Sequence, residues 1–407
     1  MQTHIHPKFN NRPDIKEAED ILRACVHCGF CTATCPTYLE LGDERDGPRG
    51  RIHLIGQFLE QGSATSKTVR HLDRCLTCRA CETTCPSGVE YGRLADIGRH
   101  ALEQEVKRSV LDRIIRWGLL RILPYQQRFG FLLRVGQFFR PILPRFLSKE
   151  IPARQVELAR PSGQRPRKML MLSGCAQAAA TPNTNNAAAR VLDRLGITVI
   201  EPANSGCCGA ASYHLSAHDE AHNFARQNID AWWPQIEQGA EYVIVSASGC
   251  ASIVKDYGEL LKDDTQYAQK AKRVSSIARD LSEVMLGEDL GVLSVAKAET
   301  SVAIHCPCSL QHGQKLPSSV EEIFNALSIP TVKTRDNHLC CGSAGTYSIL
   351  QRAMSRKLLS NKITALTVNK PDEIVTANVG CQMHLATETQ IPVRHWIELV
   401  DDVTEPR

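Results

Sequence analysis

Residues 25–36 read Cys25-Val-His-Cys28-Gly-Phe-Cys31-Thr-Ala-Thr-Cys35-Pro36, and residues 75–86 read Cys75-Leu-Thr-Cys78-Arg-Ala-Cys81-Glu-Thr-Thr-Cys85-Pro86. Both are C-x₂-C-x₂-C-x₃-C-P, the ligand run of a protein that holds two iron–sulfur cubes. Three thiolates within seven residues can wrap three corners of one cube. The next turn carries the fourth Cys away to the other cube, and Pro redirects the chain. Cys25, Cys28, Cys31 and Cys85 are therefore expected around one [4Fe–4S] cluster, and Cys75, Cys78, Cys81 and Cys35 around a second. A pair of structural zinc sites fits poorly, because zinc usually takes two separated Cys pairs. With no substrate machinery between them, two such clusters carry electrons and do no bond chemistry.

The 39 residues between Cys35 and Cys75 contain helical patterns at 52–60 and 65–74. The first 105 residues thus read as an α-helical two-cluster ferredoxin domain. His27, inside the first run, reads as a partly exposed loop histidine. The whole chain has 407 residues, 17 cysteines and a net charge of +4. That charge is too small for a general nucleic-acid binder, and no recognition helix is evident, so no nucleic-acid partner is expected. No run of about 18 apolar residues occurs, and 1–11 lack the apolar core of a secretory signal. A cytoplasmic setting follows, where clustered thiols bind metal or do redox work and do not form disulfides.

Nine further cysteines follow residue 170, and they duplicate. Cys175, Gly206-Cys207-Cys208-Gly209 and Ser248-Gly-Cys250 recur as Cys308, Leu339-Cys340-Cys341-Gly342 and Val379-Gly-Cys381, at offsets of 133, 133 and 131 residues. Cys306 has no counterpart. Short apolar runs (169–172, 198–200, 242–245; 301–304, 331–333, 374–376) alternate with helical patterns in each copy, which predicts parallel α/β layers. The fold class expected is α+β and multidomain: the ferredoxin domain, then a duplicated α/β CCG (cysteine-rich) domain. Segments are expected at 1–105, 106–160, 161–290 and 291–407. Ligands sit at the carboxyl edge of such sheets. Cys175, Cys207, Cys208 and Cys250, then Cys308, Cys340, Cys341 and Cys381, can therefore converge on an iron–sulfur cluster, on zinc, or as a set of reduced thiols. His214, His305, His312, His338 and His384 lie near these cysteines in sequence and read as loop or core residues.

A family resemblance rests on 21–38 (ILRACVHCGFCTATCPTY), 46–52 (DGPRGRI), 71–88 (HLDRCLTCRACETTCPSG), 206–210 (GCCGA) and 228–234 (NIDAWWP). The chain resembles the Cys-rich iron–sulfur subunits of heterodisulfide reductase, anaerobic glycerol-3-phosphate dehydrogenase and lactate-utilisation enzymes. Within that group it is most similar to the iron–sulfur subunits of bacterial glycolate oxidase. The resemblance implies a complex in which two FAD-type flavoprotein subunits oxidise glycolate to glyoxylate and this chain passes the electrons on. Related second copies often read His-Asp-Pro-Cys where this one has His305-Cys306-Pro-Cys308, which leaves open whether Cys306 or Cys308 is the ligand; the 133-residue offset favours Cys308. No G-x-G-x-x-G opens a helix after a strand, so no flavin or dinucleotide site is expected in this chain.

Residues 107–154 hold 11 Lys/Arg against two acids, and seven of the chain's 22 aromatics lie between Trp117 and Phe146. In 110–123, Leu111, Ile114, Ile115, Gly118, Leu119 and Ile122 share one face, with Arg113 and Arg116 opposite. Residues 131–139 repeat the pattern. A basic, aromatic-rich amphipathic pair suits the membrane interface, here the cytoplasmic face of the inner membrane and its quinone. It equally suits docking on a flavoprotein or on the chain's own core. Two rival functions remain: a self-sufficient disulfide reductase using the CCG sites, and a redox or oxygen sensor.

Overall fold

The computed structural model describes residues 3–295 and 300–405. The N-terminal part is all helix, as its periodicity predicts: Pro13–Ala24, Pro36–Leu41, Pro48–Gln61, Ser66–Asp73, Ala80–Thr83 and Tyr91–Glu105. Several start on Pro, whose missing N–H costs nothing in a first turn. Ile15, Leu22, Ile55, Leu59, Leu72, Leu94 and Ala101 close the core of this unit, and five cysteines, Cys25, Cys31, Cys75, Cys81 and Cys85, pack in or against it.

Each later repeat is a four-stranded parallel sheet. The first contains β1 (Arg167–Met171), β2 (Ile197–Ile200), β3 (Val243–Val245) and β4 (Ala278–Asp280), in the order β2-β1-β3-β4. After β5 (Ser294–Val295), the second contains β6 (Val302–His305), β7 (Thr331–Val332), β8 (Glu373–Thr376) and β9 (Val393–His395), in the order β7-β6-β8-β9. β10 (Thr404–Glu405) pairs antiparallel with β5. Three strands per copy match the apolar runs of the sequence. The fourth strands have no such run: β4 reads Ala278-Arg279-Asp280 and β9 reads Val393-Arg394-His395, each with an Arg at its centre.

The repeats pack on one another reciprocally. The helix Pro182–Arg194 of the first lies on Trp396–Val403 of the second, and Leu281–Leu286 of the first lies on Ser319–Ala326 of the second. These are equivalent helices exchanged, as in an isologous dimer interface. Arg190 and Arg194 bind Asp401 at 2.5 and 2.8 Å across it. A single apolar cluster, including Val191, Leu192, Met285, Phe324, Trp396 and Val400, runs through both repeats.

Between the units, Val110–Ile122 and Gln126–Phe139 form two helices with no buried residue. Arg116, expected on a solvent face, turns inward with Arg108 to bind Asp73 (3.3 and 2.6 Å). Tyr125 donates to Glu220 at 2.9 Å. The apolar face is left outward: Val110, Leu111, Ile114, Trp117, Phe131 and Phe138 are all more than half exposed. Among the described residues no helix is long and apolar enough to cross a membrane.

Candidate metal centres

The eight N-terminal cysteines separate around two adjoining cavities. One, enclosing about 420 Å³, is lined by Cys25, Cys28, Cys31, Cys85 and also Cys81. The other, about 300 Å³, is lined by Cys35, Cys75, Cys78 and Cys81. The fourth Cys of each run has crossed to the other run's cavity, as the ligand pattern requires. Pro48, Cys81 and Tyr91 line both.

The loops have matching backbones. His27 and Gly29 in the first run, and Thr77 and Arg79 in the second, all take positive φ (56, 85, 52 and 60°). For a β-branched threonine this is strained. It is held by Arg99, which donates to Thr77 Oγ1 (2.7 Å) and to the Leu72 and Cys75 carbonyls (2.8 and 2.5 Å). The twisted loop turns the Thr77 N–H toward Cys75 Sγ at 3.3 Å. Concave runs of N–H groups of this kind accommodate anionic centres.

The stretch Asp46-Gly-Pro-Arg-Gly-Arg51 straddles both cavities. Arg49 reaches the His27 carbonyl of the first loop. Arg51, 1% exposed, lies beside the second. It donates to the His71 carbonyl (2.8 Å) and Thr37 Oγ1 (3.1 Å) and sits 3.5 Å from the buried Asp46 carboxylate. His71 and Arg74 complete the knot around Asp46 at 3.0 and 2.8 Å. Burial alone would raise the Cys75 thiol. The Arg51 and Arg99 guanidiniums and the Thr77 N–H outweigh it and bring Cys75 below its ordinary value. Burial instead pushes Cys31 up to about 11 and drives Cys78 and Cys81 well up. Groups of this kind stay protonated in water and bind as thiolates when a metal displaces the proton. Two adjoining cavities, each lined by the four thiols of one expected set, with Arg49 at the first and Arg51 at the second, fit two iron–sulfur clusters.

In the first repeat, Cys207 and Cys250 both lie against the Cys208 sulfur and hold it well below its usual value, and Cys175 adjoins Cys207. In the second, Cys308 Sγ is 3.7 Å from Cys340 Sγ, and Cys341 adjoins Cys340 on one side and Cys381 on the other. Each quartet is therefore one contiguous sulfur group. Cys306 stands apart in the apolar core shared by the repeats, with its thiol pushed up to about 12 by burial and by Asp280. The glycine after each doublet explains the motif. Gly209 and Gly342 sit at φ +90 and +87°, and each donates its N–H to the first sulfur of its doublet at 3.4 Å. A Cβ at Gly342 would lie 2.6 Å from the Ser355 carbonyl.

The second quartet abuts the N-terminal unit. Cys308 and Cys340 share an apolar cluster with Leu76, Cys78 and Tyr347. Tyr347 donates to the Arg74 carbonyl (3.0 Å), and His312 joins Thr83 (3.1 Å) to the His338 carbonyl (2.9 Å). The first repeat meets the N-terminal unit elsewhere, through Arg93–Tyr213 (2.8 Å) and stacked His100 and His218 (4.0 Å). His214 pairs with Asp96, and His384 with Ser355. His305 has no such partner: it is buried beside Cys341 and Cys381. Motif reading missed Arg51, Arg99 and Tyr91 at the N-terminal cavities and Lys362, buried near Cys340, Cys341 and Cys381. The DGPRGRI stretch was the one signal that could have flagged Arg51.

Residues 21–89 match the 4Fe-4S dicluster domain family, and 169–255 and 302–386 each match the cysteine-rich (CCG) domain family. The chain is 52% identical to the glycolate oxidase iron-sulfur subunit of Escherichia coli over the full length of both. It is 31% identical to the probable glycolate oxidase iron-sulfur subunit of Bacillus subtilis, over 95% of this chain and 93% of that one. Lactate utilization protein A of Shouchella clausii is 24% identical over 54% of this chain and 92% of its own. A crystal structure of a hypothetical protein from Helicobacter pylori shares the fold at 9% identity, with a TM-score of 0.57 over 97% of this chain and 73% of that one.

Proposed function

The chain belongs to the glycolate oxidase iron-sulfur subunit family, and from that membership we propose a specific route for its electrons. It takes them from two FAD-type flavoprotein partners that oxidise glycolate to glyoxylate and delivers them to a quinone at the cytoplasmic face of the inner membrane. It is an electron-carrying subunit of an oxidoreductase complex and holds two [4Fe–4S] clusters. We assign Cys25, Cys28, Cys31 and Cys85 to one cluster and Cys75, Cys78, Cys81 and Cys35 to the other. The observation that carries this is the partition of those thiols between two cavities.

Bound there, the clusters supply one-electron transfer. The chain's own residues set the conditions. Burial of Cys35, Cys75 and Cys81 keeps water from the second cavity, where Arg51 and Arg99 offset thiolate charge, and at the first the exposed Cys28 with Val26 (68% exposed) and Phe30 (61%) offers an apolar edge to a flavoprotein. The CCG quartets Cys175, Cys207, Cys208 and Cys250, and Cys308, Cys340, Cys341 and Cys381, are read as further metal sites.

The inverted helices support the membrane arm. A surface helix normally turns its apolar stripe inward; these turn it out, on the most basic stretch of the chain. That combination favours an anionic lipid surface. Replacing Ile114, Trp117 and Phe138 by Glu should release the complex from vesicles containing anionic lipid, with cluster absorbance unchanged. Equal pelleting of variant and wild type overturns this anchor. In the assembled complex, Cys28→Ser or Cys78→Ser should remove one cluster and stop quinone reduction while glycolate still reduces the flavin. Full quinone-linked activity in both variants overturns the electron route.

A further inference from the structure

The two sulfur sites follow the same plan except at the end of each repeat's first strand. In the first repeat, Leu172 follows β1, donates its N–H to the Ile244 carbonyl (3.0 Å), and is buried in the apolar cluster that contains Cys208. The register identifies its counterpart. Met171 pairs with Ile244 and Ile304 pairs with Val375, so the next position in the second repeat is His305, opposite Thr376. Leucine in one copy is histidine in the other.

His305 is 1% exposed, and neither of its ring nitrogens has a hydrogen-bond partner among the described residues. Leaving a buried polar atom without a partner is costly, and buried polar groups in folded proteins are almost always paired. A ring nitrogen of His305 and the sulfurs of Cys341 and Cys381 all lie within 4.8 Å of one another. Ligands of one metal at about 2.0 Å (N) and 2.3 Å (S) sit roughly 3.5 Å apart, so a small contraction brings the three into one coordination sphere. Thr376, paired with His305 on β8, also carries a buried hydroxyl without a partner. A hydroxyl on the paired strand is the kind of group that supports a metal-bound histidine through its second ring nitrogen.

We propose that His305 is a metal ligand, which with Cys341 and Cys381 makes the second repeat's centre a mixed imidazole–thiolate site while the first repeat's centre is all thiolate. This rests on the reading that the repeats hold metal. The metal is borderline-soft, as N/S donors require: iron of an iron–sulfur centre, or zinc. Compared with a thiolate at the same position, a neutral imidazole raises the potential of an iron–sulfur centre. Lys362 acts in the same direction. It is buried, bonded to the Asp336 carbonyl at 2.8 Å, and close enough to Cys340, Cys341 and Cys381 to interact electrostatically. The corresponding helix of the first repeat contributes neutral Asn228, tied to Gly206 and Cys207. The more oxidising of the two CCG centres is then the one packed against Cys78.

The test uses the full chain, purified anaerobically, as wild type, His305→Leu (the first repeat's residue) and His305→Cys. Iron, acid-labile sulfide and zinc are counted in each. The nitrogen coupling of the additional centre is then read by pulsed EPR if it holds iron, or its N/S ligation by X-ray absorption if it holds zinc. The expected result is metal beyond the two N-terminal clusters, with an imidazole signal in wild type absent from both variants. His305→Cys should retain the metal and, for iron, show a lower midpoint potential. It also keeps the test open if His305→Leu misfolds. Additional metal whose nitrogen signal is the same in wild type and His305→Cys overturns the inference and leaves the metal reading intact. A chain with no metal beyond the N-terminal clusters overturns both.

Discussion

Replacing Arg51 by Met removes one buried charge beside the second cavity and keeps the length of the side chain. Three interactions are lost: the bonds to the His71 carbonyl and Thr37 Oγ1, and the 3.5 Å approach to Asp46. Breaking a buried ion pair from one side costs about 3–5 kcal/mol. Asp46 keeps His71 and Arg74, so the lower end, about 3 kcal/mol, is expected. At 2–4 °C per kcal/mol the melting midpoint should fall by roughly 6–12 °C. The loss is not only structural. Among the groups that favour the Cys75 thiolate, Arg51 is the strongest, and without it the desolvation of Cys75 goes unopposed except by Arg99 and the Thr77 N–H. The second cluster should therefore be lost or bound weakly while the first is retained. Its potential, where it survives, should drop, because a neighbouring positive charge has gone. Anaerobic melting followed by far-UV circular dichroism and by cluster absorbance, with iron counted per chain, reads both effects. Arg51→Lys should recover part of the cluster content by restoring charge without the planar fork. An Arg51→Met protein that melts with wild type and holds both clusters refutes the role given to this side chain.

At the equivalent ends of β4 and β9, burial raises Asp280 to about 6 and lowers His395 to about 4. The Asp280 contribution is complete below its unfolded value near 4 and is lost as pH rises through about 6. That of His395 is complete above about 6.5 and is lost as pH falls through about 4. Each shift is worth about 3 kcal/mol, and the two slopes oppose one another. Asp280→Asn should expose the His395 slope, so that denaturant midpoints fall on acidification from pH 6.5 to 4 more steeply than in wild type; parallel profiles would count against it. Gly342→Ala puts a Cβ 2.6 Å from the Ser355 carbonyl at φ +87°; a loss of about 3 kcal/mol is expected by denaturant unfolding. Gly209→Ala, with 3.1 Å to the Ala221 carbonyl, should lose less. Phe30→Asp should weaken electron uptake from the flavoprotein partner roughly tenfold or more, with iron content unchanged; unaltered kinetics would place the docking edge elsewhere.

Local spacing was enough to find the sulfur groups. Three thiols in seven residues can face only one small centre, and the following Pro sends the fourth away, so the exchange of Cys35 and Cys85 between runs was legible before any fold was known. The 133-residue offset likewise marked the duplication, and apolar runs marked three strands of each sheet, because side-chain alternation and burial are local properties of a strand. Tertiary structure alone decided the rest. The fourth strands, Ala278-Arg279-Asp280 and Val393-Arg394-His395, have no apolar run to mark them. The reciprocal packing of the repeats depends on helix faces that look alike in sequence. Arg51 was one basic residue among 48 Lys and Arg until the fold closed around it and took it out of water beside Cys75. His305 was one of several histidines near cysteines. The 133-residue offset already aligned it with Leu172 of the other copy; only the fold set it beside two sulfurs and with nothing else to bond.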